Sequence, residues 1–341
     1  MIAARGKASS EIWEPSWLIV WADHSLRKSP WPSRTRLARR RTSLSAMEAL
    51  SVLVRRGGVV ECRHRVHAVV LERGRQVAVA GDPRLVTFLR SCAKPIQALP
   101  LARLPLSLRW EEIAVACASH QAERAQLAAV RSLLARAEAS EDDLECGFQE
   151  GRPRRRIAHN CSGKHAGFLL VCRERGWPWA GYILPDHPLQ RVVRAEVAAA
   201  AGLGRHEPTL AGDGCGAPTF ALSLQNMAAV FSRLSGLDGG AVVVEAMRAR
   251  PDLVGGRGAL DTALMRALPG WVAKRGAEGL LCAASGDGLG IAVKVEDGNP
   301  RALPAAVATL VKGLGLELPD ELASVPVLDS RGRTVGEVVV A

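Results

Sequence analysis

The chain has 341 residues, of which 48% are hydrophobic and only 4% aromatic, a composition typical of a soluble globular protein with a mainly aliphatic core. No apolar run approaches the roughly 20 residues that a membrane-spanning helix needs, which argues against membrane association. The formal net charge of +11 suggests a nucleic-acid partner, but more than half of it lies in residues 1–46. Because the remainder is only mildly basic and poor in aromatic residues, we expect no nucleic-acid binding.

The cysteines and the N-terminal composition bear on the cellular compartment. Eight cysteines are scattered along the chain, a distribution that does not suggest a secreted disulfide scaffold. The short apolar stretch at residues 17–22 precedes the basic cluster, which is the reverse of the order in a secretory signal. These features predict a protein of the reducing cytoplasm.

Residues 1–46 differ in composition from the rest of the chain. They hold four of the eight tryptophans and the run Arg39–Arg40–Arg41, without a sustained helical or strand period. One interpretation is a basic arm or targeting segment. The other, which we favour, is a start codon assigned too far upstream, with Met47 as the initiator. The domain that we predict to be catalytic therefore comprises residues 47–341.

The first regular pattern after residue 47 predicts paired strands. Residues 59–71 and 76–80 are strand-like and are separated by a polar turn at residues 72–75. Residues 96–270 are mostly helical in pattern. Within them, residues 122–137 carry a periodic apolar face, and residues 188–200 begin with a proline, which is favoured in a first helical turn.

Strand patterns return near the end of the chain. Residues 280–284 and 290–296 flank a Ser-Gly-Asp-Gly turn, and residues 325–328 and 334–340 flank Asp-Ser-Arg-Gly. Both pairs predict β-hairpins. The sequence thus predicts an α+β fold in which strands from both chain ends form one antiparallel sheet and the helical middle packs on it.

The first candidate for chemistry is Ser91 with Lys94. A serine and a lysine three positions apart lie on the same side of a helical turn, so the lysine could remove the serine proton. That role requires a lysine pKa lowered by burial or by a second cation. Pro95 disfavours helical geometry at Lys94, so we expect an irregular turn there.

Two further residues strengthen this candidate. Lys274 lies in a Lys-x-Gly sequence before the strand at residues 280–284, and penicillin-recognising serine enzymes combine Ser-x-x-Lys with such a late lysine. Ser119 lies between the two lysines in the chain. Without a catalytic role, Lys274 would be a solvated surface lysine and Ser119 a helix cap.

Two glycine-rich stretches suggest a metal site. They cover residues 159–167 and 212–218 and are typical of tight loops that present polar groups. Cys161 and Cys215 could share a zinc ion with His165 or another donor. Two isolated cysteines are weaker evidence for a metal than paired Cys-x-x-Cys motifs, and the alternative is that they are small buried hydrophobic residues.

Six short motifs follow one another between about Gly57 and Arg301. They are Arg-Ser-x-x-Lys-Pro at 90–95, Cys-Ala-Ser-His at 117–120, Asn-Cys-Ser-Gly-Lys-His at 160–165, Pro-Asp-His-Pro at 185–188, Asp-Gly-Cys at 213–215 and Lys-x-Glu-Asp-Gly-Asn at 294–299. In this order they resemble the rhizobial-type, or class 3, L-asparaginases, also called the asparaginase II family. Residues 1–46 have no counterpart in that family.

The resemblance implies a serine β-lactamase/glutaminase-like fold, a homodimer and L-asparagine as substrate. It implies two serine–lysine tandems, Ser91 with Lys94 and Ser119 with Lys274, where Lys294 is the fallback for Lys274. It also implies a zinc site and a substrate pocket. The zinc ligands would be Cys161, Lys164 and Cys215, and the pocket would include Arg90, His165 and Asp213.

The expected reaction is acyl transfer, with Ser91 as nucleophile, Lys94 as its base, and Ser119 and Lys274 as proton relay and oxyanion support. The assignment with the serines exchanged stays open. The competing hypotheses are another serine–lysine amidase, β-lactamase, peptidase or esterase, a basic nucleic-acid-binding protein, and an inactive structural homologue.

Overall fold

The computed structural model describes residues 48–319, 322 and 325–341. These residues belong to one compact unit. The predictions for residues 1–46, and for Met47 as the initiator, lie outside the described residues.

The described residues contain both strands and α-helices. The strands are β1 (Leu50–Arg56), β2 (Val59–Glu72), β3 (Arg75–Ala80), β4 (Val86–Phe88), β5 (Thr209–Gly212), β6 (Pro218–Ser223), β7 (Val272–Gly276), β8 (Leu280–Ala284), β9 (Leu289–Val295), β10 (Val325–Leu328) and β11 (Thr334–Val340). The helices are α1 (Lys94–Gln97), α2 (Leu99–Ala102), α3 (Trp110–Ala116), α4 (Arg124–Ala137), α5 (Ser162–Arg175), α6 (Pro188–Ala201), α7 (Leu224–Arg233), α8 (Gly240–Ala249), α9 (Pro251–Val254), α10 (Leu260–Ala267) and α11 (Leu303–Gly313).

The larger sheet has the strand order β10-β11-β1-β2-β9-β8-β7, and β3 pairs with β2. Neighbouring strands are antiparallel throughout. The long strand β2 pairs with β1 along its first half and with β3 along its second half, while β9 pairs with the second half from the other side. Because β1 also pairs with β11, strands from the two ends of the described region are neighbours. The predicted α+β class and the joint sheet are confirmed.

Helices cover the central strands. Every residue of β8 and β9 is buried, which shows that both faces of the sheet are covered there. Helix α7 packs on β9 and β2, while α3, α4 and α5 pack on one another. The predicted helices at residues 122–137 and 188–200 correspond to α4 and α6. The late hairpins are also confirmed, as β8–β9 and β10–β11.

Two features of the fold were not predicted. Strands β4, β6 and β5 form a second, antiparallel sheet, although the sequence pattern of residues 96–270 predicts mostly helix. Strand β7, which carries Lys274, also escaped prediction. These strands are three to six residues long, so their patterns are too short to identify without the partner strands.

Within the described part of the chain, no single helix has the length and apolar character needed to cross a membrane. One bent pair, Leu224–Gly236 with Gly240–Ala249, meets those two criteria only when both members are taken together.

We predict that a chain shortened to begin at Met47 folds as stably as the full chain. The pairing of β1 with β2 and β11 begins at Leu50, so the sheet contacts of β1 are retained. Thermal unfolding of both chains checks this, and equal midpoints within about 2 °C are expected. Insoluble protein, or a midpoint lower by more than about 5 °C, would show that residues 1–46 contribute to the folded domain.

Candidate active site

Ser91 follows a backbone position that is held in an unfavourable conformation. Arg90, the first residue of the 3-10 helix Arg90–Ala93, has a φ of 47°, in the left-handed region that costs energy for any residue except glycine. Its backbone N–H donates to Thr219 Oγ1 at 3.0 Å, and its side-chain Nε donates to Asp213 Oδ1 at 2.6 Å. Strand β6 and the loop before it therefore hold the residue that sets the position of Ser91.

Lys94 is completely buried and has three hydrogen-bond acceptors, none of them charged. Its Nζ donates to Ala118 O, to Ser119 Oγ at 3.1 Å and to Asn160 O at 3.4 Å. These contacts use all three N–H groups of an ammonium. The irregular turn expected from Pro95 is the junction between the 3-10 helix and α1, with Lys94 itself in a helical conformation.

The surroundings of Lys94 favour its neutral form. Burial lowers the pKa of Lys94; Lys274 and Lys164 lower it further, and only Cys161 and Cys215 oppose them. A neutral amine has a lone pair that must accept a proton, and carbonyl oxygens cannot supply one.

Of the three partners of Lys94, only the Ser119 hydroxyl carries a proton to donate. Neutral Lys94 is therefore placed to act as a base toward Ser119. The structure does not bring Ser91 into this set of hydrogen bonds.

Ser119 is not a helix cap, as the non-catalytic alternative required. It lies in the loop after α3, where its backbone N–H donates to Val254 O at 2.9 Å. The N-cap of the following helix α4 is Glu123. The side chain of Ser119 is thus available to Lys94 rather than used in capping.

Lys274 is a buried residue of β7 and not a solvated surface lysine. Its Nζ donates to Asp261 Oδ2 at 3.2 Å and to Arg275 O at 3.0 Å. The thiol of Cys92, next to Ser91, donates to Lys274 O at 2.9 Å, which joins β7 to the 3-10 helix.

The fallback Lys294 lies in different surroundings. Its Nζ donates to Val295 O, and it lines a cavity together with Glu278, Glu296 and Asp297. Lys274, by contrast, is among the groups that lower the pKa of Lys94.

The predicted zinc ligands converge at the start of α5. Cys161 is the N-cap of that helix, Lys164 lies in its first turn, and Cys215 lies in the loop between β5 and β6. Lys164 Nζ contacts Cys215 Sγ at 3.1 Å. A side chain at Gly163 would place its Cβ 2.1 Å from Val115 O, so glycine is what allows α5 to approach α3 here.

The pKa values of Cys161, Lys164 and Cys215 are shifted in different directions. The neighbouring Cys161, together with Lys164 and His165, lowers the pKa of Cys215. Cys215, with burial, raises the pKa of Cys161, whose thiol donates to Asn160 Oδ1 at 3.1 Å. Against the effect of burial, the two sulfurs raise the pKa of Lys164 to about 12. The cluster thus holds two sulfurs and an amine, with Lys164 Nζ in contact with Cys215 Sγ.

Two sulfurs and an amine form a donor set that fits zinc, once the thiol and the ammonium have lost their protons. Among the described residues, no group of three His, Cys, Asp or Glu side chains could hold a metal ion. The predicted set differs from such groups because its third donor is a lysine. Zinc at Cys161, Lys164 and Cys215 therefore stays a prediction.

The three predicted substrate residues are placed differently from one another. Arg90 and Asp213 form an ion pair whose side chains keep some exposure, 27% and 10%. His165 is completely buried, and its Nδ1 lies 2.7 Å from the hydroxyl of Tyr182. His165 also acts on the pKa of Cys215, so it lies against the sulfur cluster.

Sequence reasoning missed several residues of this site. Asn160 lies within the Asn-Cys-Ser-Gly-Lys-His motif, and its position beside Cys161 was the sequence signal that could have identified it as a site residue. Thr219, Tyr182 and Asp261 carry no such signal, because each contacts the site from a distant part of the chain.

Comparison with protein families assigns the chain to a family. Residues 52–340 match the family described as L-asparaginase II, which is most of the chain. The chain belongs to the L-asparaginase II family, a family of hydrolases. Comparison with curated proteins gives no match.

Several solved structures resemble the fold at low sequence identity. A β-lactamase from Mycobacterium bovis is 17% identical, over 74% of this chain and 95% of that one, with a TM-score of 0.35. A β-lactamase from Desulfarculus baarsii is 15% identical, over 68% and 82%, with a TM-score of 0.33. Mglu in its native form, in 4.3 M NaCl, is 15% identical, over 75% and 62%, with a TM-score of 0.35.

We predict that Gly163→Ala destabilises the fold, because the added methyl group would overlap the backbone carbonyl of Val115. The expected loss is about 1–3 kcal/mol in the free energy of unfolding, measured by urea denaturation. Gly313→Ala is the matched control, since a Cβ there meets nothing within 4 Å and the residue ends helix α11. Equal unfolding midpoints for the two variants would contradict the close packing of α5 on α3.

Proposed function

We propose that this protein is an L-asparagine amidohydrolase that releases ammonia and L-aspartate by serine–lysine nucleophilic catalysis. The observation that carries the proposal is Lys94, a fully buried lysine whose Nζ contacts a serine hydroxyl and two carbonyl oxygens but no carboxylate. Such a lysine can be neutral and basic near neutral pH. Membership of the L-asparaginase II family supports the choice of substrate.

In the proposed mechanism, Ser91 attacks the side-chain amide carbon of asparagine. Ser119 accepts the Ser91 proton as it passes its own proton to Lys94, because Ser119 is the hydroxyl in contact with the Lys94 amine. The C–N bond of the tetrahedral adduct then breaks, and the proton held by Lys94 goes to the leaving ammonia. Water hydrolyses the acyl-enzyme by the same proton route in reverse, giving aspartate and free Ser91.

Two charged side chains suit the remaining groups of the substrate. Arg90 offers a guanidinium for the α-carboxylate, and Asp213 offers a carboxylate for the α-ammonium. Their mutual ion pair keeps both groups in place before substrate binds. The Lys274 ammonium lies near enough to lower the pKa of Lys94 and would stabilise negative charge on the amide oxygen.

Zinc is part of the proposal but not of the proton transfers. Cys161, Lys164 and Cys215 would hold it, and a bound zinc ion would supply a Lewis-acidic contact that orients substrate. The proposal also includes a homodimer, a cytoplasmic location and no nucleic-acid or membrane partner.

Another serine–lysine amidase is the second candidate, since the same lysine and serines would serve any amide substrate. Ammonia release from asparagine and glutamine, compared with hydrolysis of a β-lactam, separates the two. Turnover of the β-lactam with no ammonia from asparagine would overturn the asparaginase proposal.

We predict that Ser91→Ala abolishes ammonia release and forms no acyl-enzyme, which mass spectrometry of the denatured protein detects. Ser119→Ala should lower kcat by at least about 100-fold, because a general-base relay contributes at least that much, yet still form the adduct slowly. Thr87→Ala is a control outside the set of hydrogen bonds around Lys94. An adduct in Ser91→Ala that is absent from Ser119→Ala would exchange the roles of the two serines.

We predict one zinc ion per chain in protein purified with zinc supplied, and none in Cys215→Ser. Zinc affinity should fall as pH falls, because the ligands bind only after losing protons. Cys62→Ser, at the least buried cysteine, should keep its zinc. Elemental analysis checks all three proteins, and equal zinc content in wild type and Cys215→Ser would exclude this site.

A further inference from the structure

A buried carboxylate lies behind the second lysine of the site. Asp261, near the start of α10, and Lys274, in β7, are both completely buried, and their charged groups are 3.2 Å apart. Burying a lone ammonium is costly, whereas a paired one is tolerated. Lys94, by contrast, has only uncharged acceptors. The two lysines of the site therefore differ in whether a carboxylate faces them.

The backbone fixes the Asp261 carboxylate in position. Oδ1 accepts from the N–H of Thr262 at 3.2 Å, and Oδ2 accepts from the N–H of Arg275 at 3.3 Å. The guanidinium of Arg275 lies 3.7 Å from Oδ1. A Cβ at Gly255 would approach Oδ1 to 2.2 Å, so glycine leaves the space that the carboxylate fills. Asp261 is thus held from its own helix and from β7, and cannot turn away from Lys274.

One N–H group of the Lys274 ammonium is not used in a hydrogen bond among the described residues. Among the described residues its Nζ has two acceptors, Asp261 Oδ2 and Arg275 O, so the third N–H is left for the reacting groups. The other titratable groups packed around the pair are Lys94, Arg275 and the thiols of Cys92, Cys117 and Cys282. Burial raises the pKa of Cys117 to about 12 and raises that of Cys282, so these two thiols are uncharged.

We propose that Asp261 is a positioning residue that holds Lys274 as an ammonium ion, and so leaves Lys94 as the base. This inference rests on the proposed function. Asp261 acts through Lys274 and touches no reacting atom. The carboxylate supplies the negative charge that a buried ammonium needs, and it is itself held by the N–H groups of Thr262 and Arg275.

The test compares the pH dependence of wild type with that of Asp261→Asn. Asparagine keeps the size and an acceptor oxygen but removes the negative charge that faces the Lys274 ammonium. We expect kcat at pH 8 to fall at least about tenfold, with KM changed less than about twofold. The alkaline decline of kcat should begin at least about one pH unit lower than in wild type.

Two further variants separate this role from simple structural support. Asp261→Glu restores the charge and should move the alkaline decline back toward the wild-type pH, even at a lower rate. Asp252→Asn removes another carboxylate, one that pairs with Arg250, and should leave the decline in place. An Asp261→Asn enzyme whose alkaline decline coincides with that of wild type would overturn the proposal.

If Asp261→Asn does not fold, unfolding measurements on two other variants test whether Asp261 stabilises the charge of Lys274. Lys274→Met leaves the Asp261 carboxylate buried without its lysine partner, with only the more distant Arg275 guanidinium beside it, whereas the double variant Asp261→Asn/Lys274→Met removes both charges of the pair. Replacing both members of a buried pair costs less than removing one. The double variant should therefore unfold at a higher temperature than Lys274→Met, and a lower or equal midpoint would contradict the proposal.

The two proposals fail in distinguishable ways. If the wild type releases no ammonia from asparagine, the proposed function fails, and the unfolding comparison still decides whether Asp261 serves Lys274. If the wild type is active and Asp261→Asn keeps its alkaline decline, only the role of Asp261 fails.

Discussion

The candidate site depends on the complete burial of Lys94 among neutral acceptors. In water a lysine is protonated and cannot act as a base, but the hydrogen-bond partners of Lys94 within the described part of the chain include no carboxylate, and two other lysines lower its pKa. The contact with Ser119 then follows from hydrogen-bond chemistry, because a neutral amine needs a proton donor and two of its three neighbours are carbonyls. The fold preserves these surroundings because α1, the loop that carries Ser119 and the loop that carries Asn160 all meet at Lys94 Nζ.

The neighbouring lysines are placed in other electrostatic surroundings. Lys274 faces the Asp261 carboxylate and Lys164 faces the Cys215 sulfur, whereas the hydrogen-bond partners of Lys94 among the described residues are a hydroxyl and two carbonyls. Three buried lysines therefore have three different kinds of partner. The same side-chain type is differentiated only by what the tertiary structure puts next to it.

Backbone geometry brings these groups together as much as side-chain chemistry does. Arg90 is held in a left-handed conformation by Thr219 and Asp213, which fixes the start of the segment that carries Ser91 and Lys94. Because Gly163 has no side chain, α5 can approach α3 closely at this point. The next residue, Lys164, contacts Cys215. A non-glycine residue in the left-handed region costs stability, and proteins commonly concentrate such strain at functional sites.

The sequence by itself determined the α+β class, the terminal hairpins and the identity of the motif residues, because strand and helix periodicities and the Ser91–Lys94 spacing are local properties. It did not determine which serine contacts Lys94, since Ser119 is 25 positions away. Nor did it reveal Asp261, 13 positions from Lys274, or the short strands β4, β5, β6 and β7. Those features were decided by the tertiary structure, because a contact between distant residues depends on how the helices and sheets pack, and no local pattern encodes that packing.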